Sequence, residues 1–147
     1  MKRRSLLLLL ALCWTPAALA EVEKFEITER IPFADGKQFG EVGAYERIVG
    51  TVTFAIDPRA RQNSTIVDLD KASRGEDGRV RFSMDLFILA PADISRGNGA
   101  LLYDVNNRGN KLALRMFNFA AGENNPLDEV SAGDGFLMRK GFVVVWS

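Results

Sequence analysis

Phe142-Val143-Val144-Val145-Trp146 is an unbroken apolar run, and its reading decides the fold. β-Branched and aromatic residues favour extended backbone. A strand apolar in every register must be covered on both faces, which is how a central parallel strand is buried. A second apolar stretch, Leu101-Leu102-Tyr103-Asp104-Val105, follows the turn Gly97-Asn98-Gly99 and reads as its partner. More than thirty residues separate Val105 from Phe142. A hairpin needs far fewer, so the spacing predicts a right-handed crossover between parallel strands. Within that gap, Leu112, Met116 and Phe117 line one side of a predicted helix over 111–119, with Asn110 as N-cap. Asn124-Asn125-Pro126 breaks it. A second short helix is predicted over 135–140, closed by Gly141.

Towards the N-terminus the periodicity changes to two. Val80, Phe82, Met84, Leu86 and Ile88 alternate with Arg81, Ser83 and Asp85, while Phe87 and Leu89 make the far end apolar on both faces. Ile48, Val52, Phe54 and Ile56 share one face, with Thr51 and Thr53 opposite, and Asp57-Pro58 ends that strand. Phe25, Ile27 and Ile31 mark an irregular first strand. Residues 32–45 are glycine-rich loop, 66–69 form a short run able to pair with a neighbour, and Glu76-Asp77-Gly78 is a turn. The predicted class is α/β: antiparallel strands first, then strand-loop-helix-strand of a mostly parallel sheet. With Ser147 at the tip of the apolar strand, a long hydrophobic edge would be left open. Residues 21–147 are therefore expected to be the front portion of a larger fold, with the outer neighbour of 142–146 lacking.

The first twenty residues read differently. Lys2, Arg3 and Arg4 precede an apolar run over 6–12, Thr15-Pro16 breaks it, and Ala18-Leu19-Ala20 is a small-x-small cleavage site before Glu21. The run is far shorter than the ~20 residues of a spanning helix. The expectation is a signal peptide over 1–20 and an exported product, periplasmic or extracellular, without a stable membrane anchor. The chain has 19 Lys and Arg against 19 Asp and Glu, and removing three basic residues with 1–20 leaves a net charge of −3. That is no footprint for nucleic acid. The one cysteine, Cys13, leaves with the signal, so the mature chain forms no disulfide. With no histidine anywhere, no Ser-His-Asp or Cys-His arrangement can be completed, and no Gly-x-Ser-x-Gly elbow occurs. No cofactor or metal is expected: Asp68 and Asp70 lack the spacing of a calcium loop, and Gly97-Asn98-Gly99 lacks the rest of a dinucleotide fingerprint.

Several stretches together resemble the secreted bacterial α/β-hydrolase-domain proteins. They are Pro32-Phe33-Ala34-Asp35-Gly36 with Phe39-Gly40, Gly43-Ala44-Tyr45-Glu46-Arg47, residues 101–109, Leu112-Ala113-Leu114-Arg115-Met116-Phe117-Asn118, and Gly135-Phe136-Leu137-Met138-Arg139 with Gly141 and 143–147. The resemblance covers nearly all of residues 21–147. It implies an exported hydrolase of the α/β-hydrolase superfamily, acting on ester bonds of a small-molecule substrate, with nucleophile, acid and histidine beyond Ser147. It implies that this chain alone is inactive. It also implies that the loop Asn106-Asn107-Arg108-Gly109 offers backbone N–H groups to an oxyanion. Many esterases have His-Gly-Gly there, and this chain departs from that. Read without the resemblance, the same four residues are a solvated turn. Arg108 suits a substrate carboxylate, or an ion pair with Asp104 or a later acidic residue. The alternative for the whole chain is a secreted, non-catalytic β-rich binding or structural domain.

Overall fold

The computed structural model describes residues 21–147. The signal sequence predicted over 1–20, with Cys13, lies outside the described residues. Three long strands form an antiparallel meander: β1 (Glu21–Pro32), β2 (Tyr45–Ile56) and β3 (Val80–Pro91). Two short strands follow, β4 (Leu101–Tyr103) and β5 (Val143–Trp146). The sheet order is β1-β2-β3-β5-β4; β5 runs antiparallel to β3 and parallel to β4. Between β4 and β5 lie three short helices, α1 (Ala113–Asn118), α2 (Glu129–Ala132) and α3 (Phe136–Arg139).

Two expectations are corrected. The class is not α/β with a mostly parallel sheet. The sheet is mixed and mostly antiparallel, helices are few, and only β4 and β5 pair in parallel. The cause lies in lengths. Each meander strand has twelve residues, so antiparallel ladders hold most of the sheet. Residues 104–142 are rich in Asn and Gly, whose local hydrogen bonding and backbone freedom favour turns over a long helix. Second, 142–146 does not present an open edge, because β5 is flanked on both sides and β4 is the edge strand. The far end of β3 is apolar on both faces, and Phe87, Ile88 and Leu89 there pair with Trp146, Val145 and Val144.

Smaller departures follow local chemistry. Residues 66–69 are not extended; turns and short 3-10 turns fill 57–79, so Asp68 and Asp70 share no strand face. Helix α1 begins at Ala113, not beside Asn110, and α2 goes unpredicted. A capping box built by Asp128 and Ser131 starts α2. Gly141 does close α3, at φ +76°, a left-handed conformation that glycine adopts without strain. A Cβ there would stand 2.8 Å from the Asn98 backbone nitrogen, so the glycine also lets the chain pass close to the turn before β4.

Pairing partners define the two faces of the sheet. On one face Tyr45, Phe87, Leu89, Val144 and Trp146 form a buried cluster with Leu114, Ala132, Leu137 and Met138 of the helical segment. Tyr45 anchors it: its hydroxyl donates towards the carbonyls of Phe142 (2.9 Å) and Met138 (3.2 Å), and burial pushes its pKa well above the usual tyrosine value. Asn118, fully buried, ties the helices together. Its Nδ2 donates to the Ala132 carbonyl and its Oδ1 accepts from the Leu137 N–H, both at 2.9 Å. The other face carries Val22, Phe25, Ile27, Phe54, Phe82, Met84, Leu86 and Ile88.

Candidate functional site

Asp104 sets the site. It follows β4, and its Oδ2 accepts three N–H groups: Leu112 (2.7 Å), Ala113 (2.7 Å) and the Trp146 indole (2.6 Å). One carboxylate thus starts α1, closes the loop 104–112 and fixes the indole at the end of β5. All three of these bonds fall on Oδ2, and Asp104 makes no salt bridge with Arg108.

Within that loop the four predicted site residues separate. Asn107 and Asn110 exchange backbone hydrogen bonds at 3.1 and 3.0 Å around Arg108 (φ +52°) and Gly109 (φ +81°). Positive φ at both central residues is the pattern of a type I′ turn. The Asn107 N–H is consumed by this turn and is not free for an oxyanion. Arg108 is exposed and makes no hydrogen bond or ion pair with the described residues. Of the four, Asn106 alone lines the cleft beside Phe87 and Trp146. Its Nδ2 donates to the Ser147 carbonyl at 2.9 Å, and its buried Oδ1 has no partner among the described residues.

The cleft has a volume of about 420 Å³ and lies where β4 and β5 end. Phe87 and Trp146 form its aromatic wall, meeting edge to face at 5.5 Å. Arg47 and Lys111 stand over the Phe87 ring, 5.1 and 4.6 Å from its centroid. Arg47 is 8% exposed. It pairs with Glu29, donates through Nη2 to Asn125 Oδ1 (2.6 Å), and keeps a buried Nε without a partner. Lys111 donates through Nζ to the Asn124 carbonyl (2.5 Å) and has no carboxylate within salt-bridge distance among the described residues. Burial, and then the charge of Arg47, push its pKa down. Among the described residues, Asp85 is the one acidic side chain lining the cleft. A second depression of about 430 Å³, reached by Asn107 and Asn110, opens on the other side of Lys111 and Asn124.

Of the loop 106–109 only Asn106 lines this cleft; Arg47, Lys111, Asn124 and Asn125, which line it too, carry no site motif in the sequence. One signal is present: Arg47 is a cation flanked on its own strand face by Tyr45 and Val49, opposite Ile48. Such a residue must pair when buried. Phe87 and Trp146, read as core, are core residues that also form a wall of the cleft. Among the described residues no group of three or more carboxylates, cysteines or histidines could hold a metal ion, and no helix is long and apolar enough to cross a membrane. No protein-family profile matches this chain, and no curated protein or solved structure is significantly similar to it.

Proposed function

We propose that this is an exported, β-rich binding protein whose cleft takes a small organic acid with an aromatic or apolar body. One observation carries the reading: Lys111, a cation without a carboxylate partner, stands over an aromatic wall beside a buried arginine. Glu29 compensates Arg47 and Asp85 sits on the lining, so the excess positive charge is small. That favours a single carboxylate over a polyanion such as phosphate. Asn106, Asn124 and Asn125 supply polar contacts around it, and Phe87 and Trp146 supply the flat apolar surface. The test is titration with small aromatic carboxylates, read by the fluorescence of Trp146. Saturable binding that weakens about tenfold in Lys111→Gln is expected, on the scale of one charge-assisted hydrogen bond. Binding unaffected by that change, or by uncharged analogues replacing the acid, overturns the reading.

A second reading keeps the chain in ester chemistry as the part that seats the substrate. It is favoured by the place of the cleft, at the carboxyl ends of the parallel pair β4 and β5, where sheets with parallel strands keep ligands. An ester carbonyl would then occupy the position of the carboxylate. With no histidine in the chain, p-nitrophenyl esters should compete for the cleft without being turned over faster than in a buffer-plus-albumin control. Turnover abolished by a single Ser→Ala change overturns that expectation.

A further inference from the structure

The sheet face away from the helices is apolar and open. Val22, Phe25, Ile27, Phe82, Leu101 and Tyr103 are each between 48% and 60% exposed. Their strand partners place them on one side: Phe25 opposite Val52, Phe82 opposite Phe54, and Tyr103 beside Val145, which itself opposes Ile88. In the half of the sheet holding Phe25 and Phe82, the polarity is the reverse of what a solvated face needs. Glu26, Thr51, Thr53, Ser83 and Asp85 point to the helix side, and the aromatics point to water. Val22, Phe25, Ile27 and Phe82 leave about 400 Å² of apolar surface on the β1–β3 side and Leu101 and Tyr103 about 200 Å² on the edge strand β4, with the buried Ile48, Val52 and Val145 of the same face between the two groups.

We infer that this face is a dimer interface and that its occupant is a second copy of the chain, stacked sheet on sheet about a two-fold axis. Area argues for it. The two groups together, on the order of 600 Å² with a polar rim, approach the ~800 Å² per partner of a standard interface. Charge argues for it as well. The only ionised groups on the paired positions of this face are Arg30 and Glu46, already paired at 2.9 Å at one end. A two-fold stack therefore meets no like charge in its centre, and the Arg30–Glu46 pairs can exchange partners across the axis. Phe54 and Phe82, stacked at 5.1 Å and 15° near the Ile56–Val80 end of the face, supply a flat aromatic anchor of the kind such interfaces concentrate. Two twisted sheets pack this way at ~10 Å, at about −30° between strands.

Sedimentation equilibrium across a concentration series, on the full chain as purified, tests this. A monomer–dimer equilibrium is expected, with Kd raised at least about a hundredfold by Phe82→Lys, the scale of a buried aromatic anchor. Ser83→Lys, one residue along and on the opposite face, should leave Kd within about twofold. Circular dichroism checks that each variant folds, and Phe25→Lys on the edge strand β1 serves if Phe82→Lys does not. A chain monomeric at every concentration overturns the inference. So do heterogeneous larger species, recovery of the chain only with bound lipid or a foreign peptide, or equal weakening by Ser83→Lys.

Discussion

Lys111 belongs to two surfaces at once, since its methylenes and amine separate the cleft from the depression beside it. Its proton is held less firmly than in a free lysine because burial and the nearby Arg47 both disfavour the charge. The sign of the consequence is fixed. Between the folded pKa and the ordinary 10.5, the unfolded chain holds more protons than the folded one. Stability contributed by this group is therefore withheld at neutral pH and rises as pH climbs through the folded pKa towards 10.5. Acetylation of Lys111, followed by peptide mass spectrometry, should reach half-maximal rate at a lower pH in the folded chain than in urea. Arg47→Met should move that pH part of the way back. Identical profiles in folded and unfolded chain would refute the assignment. Arg108 gives a second prediction at this scale. A non-glycine residue at φ +52° is strained, and asparagine tolerates that region better. Arg108→Asn should raise stability by ~0.5–1 kcal/mol in a urea melt. If ligand affinity falls at the same time, the strain is retained for binding.

At the level of elements, the strands were the most legible part of the chain. The period-two alternation from Val80 to Ile88 and from Ile48 to Ile56 reports one-sided contacts within a sheet, and the structure pairs those segments residue by residue. The helical segment was less legible. Its short helices are held by single polar residues acting over distance, which no local pattern announces. Asp104 starts α1 from eight residues upstream, and Asn118 joins α1 to α3 across nineteen residues. The candidate site was the least legible for the same reason. Arg47, Asn106 and Lys111 come from a strand and two parts of one loop, and Asn125, seventy-eight residues from Arg47, reaches it only through the folded chain. Class is poorly legible because the apolar run at 142–146 carries the local pattern of a central parallel strand, although it pairs antiparallel with β3 on one side and parallel with β4 on the other. Asn118→Ala tests the bracing of the helices. It leaves the Leu137 N–H and Ala132 carbonyl buried without partners and should cost ~2–4 kcal/mol in a denaturant melt. A loss below about 0.5 kcal/mol would mean that the helices are held by packing alone.

For the molecule as a whole, one buried cluster spans both the sheet and the helical segment. Unfolding should therefore be a single transition, with far-ultraviolet circular dichroism and tryptophan fluorescence losing signal together. Cys13 is the only cysteine, so reductant should leave the midpoint unchanged; two separate transitions, or a shift with reductant, would contradict this picture. The order β1-β2-β3-β5-β4 also imposes a schedule on a chain that emerges from its N-terminus. The meander of β1, β2 and β3 can zip up as soon as residue 91 is available, through hairpin closures of modest entropic cost. Leu101–Tyr103 cannot join it then, because the place beside β3 is reserved for residues made some forty positions later. Until Val143–Trp146 arrives, β4 is a loose apolar tail next to a half-finished sheet, able to take the wrong place against β3. The last strand therefore works as a wedge that must slip between two earlier ones. A holding factor that binds short apolar stretches during synthesis would find its target in residues 101–105, for only as long as the wedge is late.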